Sequence, residues 1–371
     1  MFNTLPPYII YLIAALSSAL ISSYSVRKIL YITQNRKIYD LPDDTRKIHG
    51  ANIPSLGGIG IFIGYIMAAL IFWPSKHLPV NYFLPSSVLL FFTGVYDDLM
   101  NMRPYKKLVA QLLASVITIY LADIRITSFY GIAGIETLPY CISLLITVVG
   151  CALFINAFNF IDGIDGLACS LSILYSCILG LLFVPHHQGL AALSFCVAGA
   201  TAGLLVYNYS PAKIYMGDTG SMLLGFTLFI LSVVFLNVCA ADQLYSSPGQ
   251  TRPFNEMIHS DRGAFIIMVS MLFLPVFDAI RVFILRLSRG RSPLKADRSH
   301  IHFYLLDAGI GHTRSVLLLL VTNILIIASA FLMQDYNPLL PISCMTLVSC
   351  LALMIIFWYR QKQTKKGMTT V

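Results

Sequence analysis

Long apolar runs separated by short polar segments set the pattern of this chain. Eleven runs, at roughly 7–32, 57–74, 81–96, 107–122, 138–157, 167–184, 189–206, 221–240, 264–285, 314–333 and 339–359, are candidates to cross a bilayer as helices, several near the short end of the usual length. Alternating the connections sorts them into two sets. One contains 33–56, 97–106, 158–166, 207–220, 286–313 and the tail 360–371. The other contains 75–80, 123–137, 185–188, 241–263 and 334–338. Of the 25 Lys and Arg residues, Lys76, Arg125, Arg252 and Arg262 alone fall in the second set. Excess basic residues mark the cytoplasmic side. The pattern therefore predicts an all-α polytopic integral membrane protein with about 11 transmembrane helices, the N-terminus outside and the C-terminus cytoplasmic.

Composition agrees. Of 371 residues 57% are hydrophobic and 11% charged, against about 25% charged in soluble domains, and mean hydropathy is +0.76. The reading is one membrane-embedded domain, 1–371, with cytoplasmic loops at 33–56, 97–106, 158–166, 207–220 and 286–313 and a basic tail. The first run is long enough to span and no small-residue cleavage site follows it, so it reads as a helix, not a signal. The net charge of +8 reflects topology, not nucleic-acid binding. Cys141, Cys151, Cys169, Cys177, Cys196, Cys344 and Cys350 lie in apolar runs, with no C-x-x-C, and behave as small hydrophobes.

Nearly all the unusual polar residues fall in the first set of loops. Asn156 to Ala168 reads NAFNFIDGIDGLA, where a step of three through Asn156, Asn159, Asp162 and Asp165 would bring polar groups together on a helix. Ionisable groups at membrane depth are expensive and mark functional sites. The third run ends in Tyr96-Asp97-Asp98, with Lys106 and Lys107 following. The seventh leads to Asn208 and then Tyr215-Met216-Gly217-Asp218-Thr219-Gly220-Ser221. The ninth leads through Asp278 and Arg281 to SRGRSPLKADRSHIHFYLL, with Arg298, His300 and His302. Arg46, Lys47 and His49 lie after the first run.

Each motif alone has a plainer reading. Asp97-Asp98 could be a solvated helix end, Gly217-Asp218 a turn and helix cap, Asp278 and Arg281 an ion pair. Five separate loops placing acids, amides and histidines on one face argue for chemistry instead. Acids beside fixed cations suit metal-dependent phosphoryl transfer, in which Mg²⁺ takes a few carboxylates and basic groups neutralise phosphate. No G-x-x-x-x-G-K-[ST] or H-E-x-x-H run is present.

Together these motifs resemble the polyprenyl-phosphate N-acetylhexosamine-1-phosphate transferases, glycosyltransferase 4 type, from about Arg46 to Gly311. NAFNFIDGIDGLA, MGDTGSMLLG and SPLKADRSHIH are the most specific parts, and the last is similar to the WecA-like, GlcNAc-1-phosphate transferring branch. The resemblance implies attack by undecaprenyl phosphate on a UDP-N-acetylhexosamine, giving undecaprenyl-diphosphate sugar and UMP with Mg²⁺ or Mn²⁺. This would initiate a cell-envelope glycan such as O-antigen, in the bacterial inner membrane with the active site facing the cytoplasm. A homodimer is compatible with it. It implies catalytic roles for Asp97, Asp98, Asp162, Asp165, His300 and His302. Lys107, Asn159, Asn208, Tyr215 and Arg298 would bind substrate, and Asp218 and Asn156 metal. Two positions depart from relatives: Phe303, where many have His, and Asn101, where the peptidoglycan branch has Lys. The alternative class is a transporter of lipid-linked or nucleotide sugars, which would place polar residues near the midplane in broken helices.

Overall fold

The computed structural model describes residues 6–36, 53–72, 78–132, 134–184, 187–245, 258–290 and 298–365. Arg46, Lys47, His49, Arg291, Lys295 and Asp297, and most of segment 241–263, lie outside them.

All eleven expected spans are helices: α1 (Pro7–Arg36), α2 (Gly57–Phe72), α3 (Val80–Met100), α4 (Pro104–Leu121), α5 (Tyr140–Ile161), α6 (Leu167–Phe183), α7 (Gln188–Asn208), α8 (Gly217–Tyr245), α9 (Asp261–Ser288), α11 (His312–Leu332) and α12 (Leu339–Lys365). A short α10 (Ile301–Asp307) and an antiparallel hairpin, β1 (Ser128–Ile132) with β2 (Ile135–Thr137), lie in connections that the apolar pattern leaves blank. Seven of the described helices are long and apolar enough to cross a membrane, and α2 and α6 are shorter apolar helices. The protein is an all-α, multi-pass membrane protein.

The helices pack backbone to backbone where side chains are small, as membrane interfaces require when no hydrophobic force separates protein from lipid. On α7, Gly199 and Gly203 lie against the Ala15 and Ala19 carbonyls of α1. Gly60 and Gly64 of α2 face Val26, Ser22 and the Ser18 carbonyl on the same helix. The most enclosed span is α8, 94% buried over its apolar window, whereas α12 is 17% buried and shows most of its surface to the surroundings. Packing around α8 from α2, α3, α5, α6 and α9 gives the bundle a centre, and the N-terminal end of this central helix carries Asp218.

The step of three from Asn156 does not continue as a helix. α5 stops at Ile161 with Asp162 as its C-cap residue, and Gly166 adopts a left-handed φ of 79° before α6. Asn156 and Asn159 share a helix face, whereas Asp162 and Asp165 belong to the turn. The glycines at 163 and 166 end the helical repeat.

Candidate active site at the N-terminal end of α8

Two adjacent acids of α3 do different work. Asn101 caps α3 in a left-handed conformation (φ 52°), its amide donating to the Asp97 carbonyl at 2.9 Å. Pro104 then starts α4, where its fixed φ suits a first helical turn. This short connection folds α4 back along α3, so that Lys107 reaches Asp97 with Nζ–Oδ2 2.5 Å. The other Asp97 oxygen accepts the Met102 amide at 2.6 Å.

Asp98 points to α8. Its Oδ1 accepts the Asp218 amide (2.8 Å), and its Oδ2 accepts the Thr219 amide (3.0 Å) and hydroxyl (2.6 Å). A helix begins with amides that lack partners, and its dipole favours a negative charge there. Asp98 supplies both from a neighbouring helix. The approach depends on glycine: Gly217 has φ 73°, and a Cβ on it would overlap the Ser55 carbonyl and crowd the Asp98 carboxylate. The chain before α8 is clasped as well, with Tyr215 N–H on the Pro54 carbonyl (2.9 Å) and the Gly57 and Gly58 amides on the Tyr215 and Met216 carbonyls (3.0 and 2.8 Å).

Asp218 therefore lies among α3, α4 and α5. Lys107 Nζ is 2.6 Å from its Oδ2, and Asn159 Nδ2 donates to its Oδ1 at 2.9 Å and to Ser221 Oγ at 2.8 Å. One carboxylate oxygen each from Asp97, Asp98 and Asp218 lies within 4.8 Å of the others. Three acids with one ammonium among them form a hard-oxygen donor set that fits a divalent cation of the Mg²⁺ or Mn²⁺ class. Asp97 and Asp218 have Lys107 between them, in the position a cation would take. Asp98 is already engaged by α8.

One helical turn deeper, Gln111, Asn156 and Met222 meet. Asn156 Nδ2 donates to Gln111 Oε1 (2.6 Å) and to the Ala152 carbonyl (2.7 Å). Gln111 was not singled out by the sequence motifs, although its spacing of four from Lys107 puts it on the same helix face.

The rest of the expected site surrounds this cluster. Burial, with the Asp218 and Asp165 charges nearby, pushes the Asp162 carboxyl well above its usual range. Asp165 Oδ2 accepts the Ala212 amide at 3.1 Å and lies 3.7 Å from His312 Nδ1. Asn208 is 2% exposed and braces the backbone, accepting from the Gly166 amide (3.0 Å) and donating to the Ile214 carbonyl (2.9 Å). It holds the loop before α8, and Tyr215 joins that loop to Gly57 and Pro54 through its backbone.

The histidine loop is organised by Asp278 of α9. Asp278 accepts from His300 Nδ1 (2.9 Å), Arg281 (2.6 Å) and the Ile301 amide (3.2 Å). A carboxylate only accepts, so the His300 proton lies on Nδ1. His302 stacks on His300 (5.7 Å, 7°) and rests on Gly163, beside Asp162. It is 1% exposed with no hydrogen bond to either nitrogen, and burial pushes its pKa down to about 3. Arg298 pairs with Asp307 (2.8 Å) and covers the Phe303 ring, which packs against His302. Among the described contacts, the loop thus reaches the α5–α6 turn through His302, while Arg298 is held by Asp307.

This geometry is matched by relationships in sequence. The profile of glycosyl transferase family 4 matches residues 80–236, a stretch containing both acids of α3, Lys107, both asparagines and Asp218. Over that stretch the chain is similar to this family. It is 29% identical to a decaprenyl-phosphate N-acetylglucosaminephosphotransferase of Mycolicibacterium smegmatis, over 74% of this chain and 70% of the relative. It is 28% identical to an undecaprenyl-phosphate alpha-N-acetylglucosaminyl 1-phosphate transferase of Yersinia pestis, covering 74% and 71%. The enzyme of that name in Escherichia coli K12 is 26% identical over 80% and 76%.

Two outcomes follow from the site. Asp98→Asn turns an amide toward the α8 donors and should lower stability by about 1–2 kcal/mol, read as the thermal midpoint in detergent with EDTA. An unchanged midpoint would mean that α8 is anchored elsewhere. His302 binds its proton less readily folded than unfolded. Its contribution to stability is therefore present above about pH 6.5 and lost as pH falls toward about 3, at up to about 1.4 kcal/mol per pH unit. His302→Gln should flatten the acid side of the midpoint–pH curve, and an equal slope in both proteins would refute the buried neutral imidazole.

Proposed function

We propose that this protein transfers N-acetylglucosamine-1-phosphate from a UDP-sugar to undecaprenyl phosphate, releasing UMP. The observation that carries the reading is Lys107 bridging Asp97 and Asp218 at one end of the bundle, in a chain similar to enzymes named for decaprenyl and undecaprenyl phosphate. A transporter would need such groups near the middle of its helices, but Asp97 is in the last turn of α3 and Asp218 in the first turn of α8.

In this reading Asp218 and Asn156 hold a Mg²⁺ or Mn²⁺ ion, with Asp97 beside them. Such an ion neutralises the diphosphate and polarises its phosphoryl oxygens. An oxygen of the lipid phosphate forms a bond to the sugar-bearing phosphorus, and the bond from that phosphorus to the oxygen of UMP breaks. A lipid phosphate is largely ionised near neutral pH, so Asp97 and Asp98 position the acceptor more than they remove a proton. Asp98 acts through α8, whose N-terminus it fixes. Lys107 exchanges its carboxylate partners for substrate phosphate when both are bound. Neutral His302 offers a ring N–H donor toward developing charge without adding a fixed charge, His300 stacks on it and is tied to Asp278, and Arg298 joins them on leaving Asp307. Asp162 and Asp165 shape the turn beneath, and Asn208 and Tyr215 hold the loop that receives the uridine.

The acceptor phosphate and the UDP-sugar meet at the cytoplasmic face of the bacterial inner membrane in this proposal. The reading makes the whole chain one transferase domain, with loops 33–56, 97–106, 158–166, 207–220 and 286–313 forming its cytoplasmic surface. The product begins a cell-envelope glycan such as O-antigen.

Purified protein with undecaprenyl phosphate, Mg²⁺ and UDP-N-acetylglucosamine should release UMP, and Asp218→Asn should lower turnover at least about 100-fold while remaining folded. Near-normal turnover in that variant would remove Asp218 from the site. Sidedness has its own check. In a cysteine-free background, Asn101→Cys should resist an impermeant thiol reagent in intact cells and Asp335→Cys should react. The reverse pattern would overturn the cytoplasmic site.

A further inference from the structure

The short helix that carries His302 is tied down at both ends. At its start, Asp278 of α9 accepts the Ile301 amide at 3.2 Å. At its end stands Asp307, the last residue of α10. A helix C-terminus favours positive charge, so a carboxylate there needs basic partners. Asp307 has two of them. Its Oδ1 lies 2.8 Å from Arg298 Nη2, and its Oδ2 lies 2.9 Å from Arg360 Nη2. Arg298 comes from the loop just before α10, whereas Arg360 comes from α12, beyond the stretch that the family profile matches.

Arg360 also grips α10 a second time. Its guanidinium lies 5.0 Å from the centre of the Tyr304 ring, and the Arg281 guanidinium lies 5.3 Å from the same ring, where the ring's quadrupole attracts cations. Arg281 in turn holds Asp278 at 2.6 Å and the Ser299 carbonyl at 2.5 Å. Tyr304 thus joins the anchor at the start of α10 to the anchor at its end.

The two arginines on Asp307 are not equivalent. Arg298 covers Phe303, whose ring packs on His302, so it lies beside the histidines. An anion that draws Arg298 away removes one of the two charges facing Asp307. That carboxylate is 22% exposed, and stranding a partly buried charge without a partner is costly. With Arg360 still on its second oxygen, Asp307 stays paired and α10 stays seated.

We propose that Arg360 is a positioning residue for the histidine loop: it keeps Asp307 paired while Arg298 turns to the substrate diphosphate, so that α10 holds His302 on the α5–α6 turn throughout. This rests on the reading of Arg298 as a substrate-binding residue of the transferase. It also gives the outermost helix a part in the site, since α12 is only 17% buried over its apolar window and meets α10 through Arg360.

The test makes two measurements on the full-length protein in detergent. Amide hydrogen exchange without substrate reports the anchor. Arg298→Ala and Arg360→Ala alone should leave exchange across 301–307 within about 3-fold of wild type, because one arginine suffices, and the double variant should raise it about 10-fold or more. UMP release reports the positioning role. Arg360→Ala should raise KM for UDP-N-acetylglucosamine about 5-fold, with a smaller effect on kcat, because releasing Arg298 now strands Asp307. Arg360→Lys keeps the charge and should restore most of the loss. Asp307→Asn frees Arg298 and should leave KM at or below the wild-type value, whereas a pair that only stabilised the fold would shift KM the same way in both variants. Arg360→Gln replaces Arg360→Ala if the latter lowers the thermal midpoint. Wild-type exchange in the double variant, or full opening in either single variant, would overturn the shared anchor. An unchanged KM in Arg360→Ala, no rescue by Arg360→Lys, or a raised KM in Asp307→Asn would overturn the positioning role. A wild-type protein that releases no UMP overturns the transferase reading and this inference with it, and the exchange comparison then still decides whether both arginines hold α10.

Discussion

A helix that begins inside a protein must find acceptors for its first amides wherever packing keeps water from supplying them. The central helix α8 meets this constraint with Asp98, which receives the amides of Asp218 and Thr219. Much of the site depends on that one carboxylate. It fixes the start of α8 against α3, and the glycines at 58, 94 and 217 remove the side chains that would keep the backbones apart. Once α8 is seated, Asp218 is beside Asp97 and within reach of Lys107 and Asn159. The acid that anchors the helix and the acid that pairs with Lys107 are therefore coupled by construction.

The charge balance of this cluster explains its chemistry. Three carboxylates around one lysine ammonium are an excess of negative charge in a poorly solvated place, which is costly unless compensated. Lys107 compensates part of it by bridging two acids at 2.5 and 2.6 Å. A divalent cation would compensate the rest, leaving the ammonium available for an anionic substrate. The same physics that makes the cluster expensive without a cation favours binding of a metal and a phosphate together.

The histidine loop follows a second anchor. Asp278 gathers His300, Arg281 and the first amide of α10, so the loop closes onto α9. His302 is then pressed onto Gly163 as a neutral ring. Asp307 pairs with both Arg298 and Arg360, which connects the end of α12 to the loop. Phe303 fits here because its ring lies against His302 and under Arg298, so the departure from a third histidine is filled by packing.

The sequence by itself determined the eleven long helices, because a bilayer demands runs of apolar residues whatever their neighbours are. It also marked the acids, amides and histidines, because such groups are too costly at helix ends in a membrane to be incidental. It could not divide the labour among them. Asp97 and Asp98 are adjacent and chemically identical, yet a turn of 100° on α3 sends one to Lys107 and the other to the α8 N-terminus. The step of three from Asn156 ran past the point where glycines end α5, so Asp162 and Asp165 left the helix that periodicity drew for them. Asn208 reads as a polar lining residue in one dimension and is a buried backbone brace in three. Gln111 carries no motif at all. Its place under Lys107 is legible from helical spacing, but its partner Asn156 is 45 residues away, and only the packing of α4 against α5 brings the two amides together.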